Sequence, residues 1–128
     1  MRVLVTGGRN YNDAALVMRI LCDLKPTVVI VGDATGADSL AWAWCSQFRV
    51  PCSRYFADWS TYGKSAGPIR NQRMLDEGKP DLVVAFPGGR GTEDMVRRAE
   101  RAGIQVKRPE PAQEKPAPGE GRRSGSEP

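Results

Sequence analysis

The residues that could do chemistry gather in three short glycine-rich segments: Gly7-Gly8-Arg9-Asn10, Gly32-Asp33-Ala34-Thr35-Gly36-Ala37-Asp38 and Pro87-Gly88-Gly89-Arg90-Gly91-Thr92. Glycine lets a backbone come close to a ligand, and the unpaired amides of a helix's first turn point outward as donors for phosphate oxygens. Each segment is therefore a candidate anion cradle. Arg9 and Arg90 could clamp a phosphate from two sides, because a guanidinium makes bidentate hydrogen bonds to an oxyanion. Thr92 is expected to cap the helix after the third segment. The chain has no histidine, so proton transfer would fall to carboxylates, with Asp94 or Glu93 as the acidic group if the site is catalytic.

A fourth segment, Ala57 to Asn71, is too long for a mere connector, and long loops in compact domains tend to be functional. It holds aromatics suited to stacking on a base, Trp59 and Tyr62, and cations suited to phosphate, Lys64 and Arg70. The expected ligand contacts are thus Gly7, Gly8 and Arg9 from the first segment, and Gly32, Asp33, Gly36 and Asp38 from the second. Trp59, Lys64, Arg70 and Asn71 follow from the fourth, and Pro87, Gly88, Gly89, Arg90, Gly91 and Thr92 from the third. Trp42 and Trp44 stand two apart in a helical pattern and cannot share a face, so helix packing accounts for at least one of them.

The elements that must position these segments can be read from apolar runs. Val3 to Thr6, Val28 to Val31, Leu82 to Phe86 and Ile104 to Val106 read as buried parallel strands, with Cys52 to Phe56 as a less apolar strand nearer an edge. Helical patterns lie between them at about Asp13 to Leu24, Ala37 to Phe48, Pro68 to Asp76 and Thr92 to Ala102. This alternation, with right-handed crossovers, predicts a single α/β, Rossmann-like three-layer domain. Its parallel sheet has about five strands in the order 3-2-1-4-5. Strands 1 and 4 are then neighbours, and the chain reverses its winding there to open a crevice at the carboxyl ends of the strands. The glycine-rich segments all fall on that edge.

The totals agree with one soluble domain. At 128 residues the chain is too short for two domains, and it contains no apolar run near the roughly 20 residues that span a bilayer. Three cysteines, Cys22, Cys45 and Cys52, show no C-x-x-C spacing and read as buried thiols in a reducing cytoplasm. Without histidine no metal site is expected, and no cofactor is called for. The net charge of +4 resides in residues 1 to 107 and weakly favours an anionic ligand. From 108 to 128 the sequence is rich in proline, glycine, glutamate and serine, with no aliphatic residue larger than alanine, and is expected to be a disordered tail.

The motifs GGRNY, GDATGAD, ADWSTYGKSAGPIRNQRM and AFPGGRGTEDM, in that order, resemble the SLOG superfamily of Rossmann-like nucleotide-binding domains, related to LOG and DprA proteins, and in particular its small bacterial and phage YspA-like branch. The resemblance covers about residues 1 to 107. LOG enzymes hydrolyse the N-glycosidic bond of nucleoside monophosphates through a PGG-x-GT-x-x-E loop and an arginine on the preceding helix. Pro87 to Thr92 match that loop, and Arg70 and Met74 are similar to the family's arginine and methionine, which implies phosphate or ribose contact at Arg70. The glutamate position is occupied by Met95, which cannot act as a general base, so the resemblance implies binding more than hydrolysis.

Three functions follow as expectations. The first is binding of a nucleotide or nucleotide-derived ligand, such as an NAD- or ADP-ribose-like molecule or a cyclic nucleotide signal. The second is a nucleoside-monophosphate N-glycosidase or phosphoribohydrolase using Asp94 or Glu93. The third is single-stranded nucleic-acid binding, which the absence of a clustered basic stretch disfavours. The implied partners are the small molecule and a second copy in a homodimer, with no membrane.

Overall fold

The computed structural model describes residues 1–109; residues 110–128, most of the expected tail, lie outside the described residues. The apolar runs form strands β1 (Arg2–Thr6), β2 (Val28–Val31), β3 (Cys52–Arg54), β4 (Leu82–Ala85) and β5 (Gln105–Lys107). They pair in parallel in the order β3-β2-β1-β4-β5, as the alternation of runs predicts. The connections carry helices α1 (Ala14–Leu24), α2 (Ala37–Phe48), α3 (Trp59–Tyr62), α4 (Ala66–Gly78) and α5 (Arg90–Arg101).

Successive strand side chains alternate between faces, and this period divides the core into two layers. Val3, Val5, Val29, Val31, Leu82 and Val84 pack with Leu16, Val17, Ile20 and Leu21 of α1 and Ala41, Trp44 and Cys45 of α2. Leu4, Ile30 and Val83 point the other way, onto Met74 and Leu75 of α4 and Met95 and Ala99 of α5. Both faces of the central strands are covered, so their sequences are continuously apolar, and each fully buried Val or Leu contributes about 1.5–3 kcal/mol. Among the described residues no helix is long and apolar enough to cross a membrane.

Several details differ from the sequence reading, among them the strand ends, with β3 stopping at Arg54 and β5 running from Gln105 to Lys107. α4 starts at Ala66, two residues before Pro68, because a proline in the first helical turn gives up an N–H that has no intrahelical partner. The long fourth segment is not irregular: Asp58 accepts the Thr61 N–H at 3.2 Å and caps α3, and a 3-10 turn over Gly63–Ser65 leads into α4. α5 begins at Arg90, so its N-cap is Gly89 and not Thr92, which lies within the first turn with its side chain buried. Arg108, the first residue of the expected tail, is bonded to α5. Its guanidinium donates to both Glu93 carboxylate oxygens at 2.9 and 3.1 Å.

The tryptophans separate as their spacing requires. Trp44 is buried in the α1/α2 layer, whereas Trp42 is exposed, with the Arg54 guanidinium 4.6 Å from its ring centroid.

Candidate functional site

The three glycine-rich loops meet at the carboxyl ends of β1, β2 and β4 and are bonded to one another. The Gly8 N–H donates to the Pro87 carbonyl at 2.8 Å, the Gly8 carbonyl accepts the Ala37 N–H at 3.2 Å, and the Thr35 hydroxyl donates to the Arg9 carbonyl at 2.8 Å. Such contacts need backbone against backbone. Gly36 has φ +74°, and a Cβ there would strike the Gly8 carbonyl oxygen; a Cβ on Gly88 would strike Thr92 Oγ1 and come within 2.6 Å of the Gly8 nitrogen. These two glycines therefore hold the loops together. Gly89 and Gly91 do the opposite, since a Cβ at either would meet nothing within 4 Å. They leave the first turn of α5 bare toward the space in front of it.

That space is a cavity of about 810 Å³. Its walls include Gly7, Gly8 and Arg9; Gly32, Asp33 and Asp38; Trp59 and Lys64; Arg70 and Asn71; and Gly89, Arg90, Gly91, Thr92 and Asp94. Four expected residues are not in the wall. Gly36, Pro87 and Gly88 lie behind it as the inter-loop contacts just described, and Glu93 points away, engaged with Arg108. Met74 and Arg97 were not anticipated as wall residues. Helical spacing could have found both: Met74 is one turn beyond Arg70, and Arg97 is two turns beyond Arg90 on the face that also carries Asp94.

Charge is divided across the cavity. Arg9, Lys64 and Arg90 are exposed and have no ion pair among the described residues. Arg70 is not free in this way. Its Nη1 donates to Asp33 Oδ1 at 2.6 Å and its Nε to Asn71 Oδ1 at 3.1 Å. Asn71 in turn donates to Asp94 Oδ2 at 3.0 Å and to the Gly91 carbonyl at 3.2 Å, tying α4 to the first turn of α5. Burial pushes the Asp94 carboxyl up, but hydrogen bonds from Arg98 and Asn71, with Arg97 nearby, outweigh it and hold the group below the usual carboxylate range. Asp94 is thus a committed anion, with Arg98 Nε at 2.8 Å.

Asp38 is different. It sits in the first turn of α2 at 7% exposure, and burial raises its pKa from 3.8 to about 6, against the opposing pull of the Ala34 N–H and Arg70. Met95, at the position where LOG enzymes carry glutamate, is fully buried among Leu4, Ile30, Met74 and Val83, on the core side of α5 and away from the cavity. The arrangement offers Arg9, Arg90 and bare amides on the β1 and β4 side, where Asp94 is already paired with Arg98, Asp33 and Asp38 on the β2 side, and Lys64 with an aromatic rim at Trp59 from the segment after β3.

Comparison with known proteins fits this architecture. A model of the YspA, cpYpsA-related SLOG family matches residues 1–62. The Gene 61 protein of Mycobacterium phage D29 is 42% identical over 117 residues, which cover 82% of this chain and 93% of that protein. The X-ray structure of DNA processing protein A (DprA) from Streptococcus pneumoniae superposes with a TM-score of 0.70 at 19% identity, over 88% of this chain and 51% of that one. The chain therefore spans about half the length of that DprA, and the likeness establishes the Rossmann-like fold. With the loop motifs in family order, a phage relative at 42% identity and the matching family model, the chain belongs to the YspA, cpYpsA-related SLOG family of the SLOG superfamily.

Proposed function

We propose that the chain binds a nucleotide or nucleotide-derived ligand, of the NAD, ADP-ribose or cyclic-nucleotide kind, in this cavity. The observation that carries the reading is the exposed first turn of α5 beside three cations with no ion pair among the described residues, Arg9, Lys64 and Arg90, at a wall built from interlocked backbone. Phosphate oxygens suit the α5 amides, the two guanidinium groups and the Lys64 ammonium, and a base suits the Trp59 face at the rim. A cavity of about 810 Å³ is of the size that takes such a ligand. Membership of a SLOG family supports a nucleotide-related role. Arg70, already neutralised by Asp33, shapes the wall more than it supplies free positive charge.

Binding is favoured over hydrolysis by the state of the carboxylates first considered for catalysis. Glu93 is outside the cavity, and Arg98 and Asn71 hold the Asp94 carboxyl below the usual range, which makes it both a poor proton donor and a weak base. A homodimer acting in the cytoplasm belongs to the same reading, with Trp42 as an exposed aromatic on the second helix; sedimentation velocity tests the dimer.

The functional experiment is a thermal-shift and calorimetric screen against nucleoside monophosphates, NAD, ADP-ribose, cyclic nucleotides and a short single-stranded DNA, with chromatography of each mixture. The expected result is a stabilising shift with the nucleotide recovered intact, lost in Gly89→Asp, whose new carboxylate would occupy the open space before α5. Absence of a shift with every nucleotide refutes the reading. Release of free base would instead make the protein a hydrolase.

A further inference from the structure

Within the cavity wall one polar side chain is left with work undone. Asp38 is more than nine-tenths buried, yet among the described residues its carboxylate has a single hydrogen bond, from the Ala34 N–H to Oδ2 at 3.2 Å. Oδ1 has none. Buried carboxylate oxygens are ordinarily satisfied, and Asp38, a residue of the cavity wall with one oxygen unbonded, keeps acceptor capacity for a donor. Among the described residues no further donor reaches it. Arg70 Nη1 and Asp38 Oδ2 both crowd the space a Cβ on Gly32 would need, at 2.7 and 2.9 Å, but the guanidinium is turned to Asp33. Gly32 lacks the side chain that would screen the two groups from the cavity.

We infer that Asp38 accepts a hydrogen bond from a sugar hydroxyl, so that the site selects ribonucleotides over nucleotides lacking that hydroxyl. The inference rests on the nucleotide-binding reading above. A phosphate placed at α5, with Arg9 and Arg90 and with Asp94 already paired to Arg98, keeps its own negative charge away from Asp38, which has no ion pair among the described residues and would repel it. The neutral, donor-bearing portion of a nucleotide adjoining the phosphate is the sugar. A hydroxyl is the donor that matches an acceptor with one open oxygen, and losing it would leave a desolvated carboxylate unpaired. The groups facing Asp38 are Asp33 from its own loop, Cys52 and Arg54 from β3 and Arg70 from α4. Asp38 ionises through about pH 6, so acceptance strengthens as pH rises through that value.

The test is calorimetric titration of the full chain with the four common ribonucleoside 5′-monophosphates and their 2′-deoxy and 3′-deoxy forms, at pH 5 and 7.5. A ribonucleotide that binds is expected to lose about tenfold to a hundredfold in affinity when one of the two hydroxyls is removed, the range of a hydrogen bond to a charged group. That ratio should grow from pH 5 to 7.5; phosphate titration cancels because both forms carry the same phosphate. In Asp38→Asn the ratio should collapse toward one, since the amide oxygen can still take the Ala34 N–H while the amide nitrogen cannot accept a hydroxyl. Equal affinity of ribo and both deoxy forms overturns the inference and leaves nucleotide binding intact. Persistence of the ratio in a folded Asp38→Asn overturns it as well. No binding of any nucleotide removes both readings.

Discussion

Replacing Asp38 by Asn should make the protein more stable near neutral pH and leave it unchanged in acid. The native carboxyl ionises at about 6 against an ordinary value of 3.8, because burial penalises its charge. Between those values the native state binds the proton more tightly than the unfolded chain. Stability from this group is fully present below about pH 3.8 and is lost as pH rises through about 6. A shift of about two units, at 1.36 kcal/mol each, amounts to about 3 kcal/mol at pH 8. Asparagine keeps the acceptor for the Ala34 N–H and has no charge to desolvate, so the variant escapes this penalty. Urea unfolding of both proteins, followed by circular dichroism at unit steps from pH 4 to 8, gives the difference in unfolding free energy. Carboxylates such as Asp94 and Glu93, whose native values are depressed, lose stability toward acid in both proteins and cancel in that difference. The expected difference rises with pH by about 3 kcal/mol, or about 10 °C in melting temperature at pH 8. A flat difference across the range would refute the argument that Asp38 is a buried, weakly satisfied carboxyl.

Three further outcomes are expected. Gly88→Ala should cost about 2–4 kcal/mol in urea unfolding through collision with Thr92 and the Gly8 backbone, whereas Gly91→Ala, open on that side, should change stability by less than about 1 kcal/mol and weaken nucleotide binding. Met95→Glu should fail to create hydrolase activity and lower stability by more than about 3 kcal/mol, because it places a carboxylate in the apolar layer of Leu4 and Val83; a folded, base-releasing variant would show that this face of α5 reaches the cavity. Arg70→Met should destabilise by about 1–3 kcal/mol by leaving Asp33 unpaired beside Asp38, and the double variant Arg70→Met with Asp33→Asn should regain much of it in a double-mutant cycle.

The fold and the meeting of the loops were legible in the sequence for reasons that are local or topological. Continuous apolar runs such as Val28 to Val31 signal strands covered on both faces, and right-handed crossovers then leave few strand orders, of which 3-2-1-4-5 is the one observed. Once that order is set, segments that follow β1, β2 and β4 must share an edge, which places Gly8, Gly32 and Gly89 around one cavity. Tertiary structure alone decided which side chains are spent and which are free. Arg70 reads as a phosphate ligand by type, but it reaches Asp33 across 37 positions of sequence. Glu93 and Asp94 are neighbours in the chain, yet a rotation of about 100° per helical residue sends one to Arg108 and the other to the cavity. Thr92 has the character of a helix cap and is instead turned onto Gly88, and Asp38 has one oxygen without a hydrogen bond among the described residues. Period and topology are properties of a segment and can be read along it, whereas pairing depends on distances between segments that exist only after the sheet has brought them together.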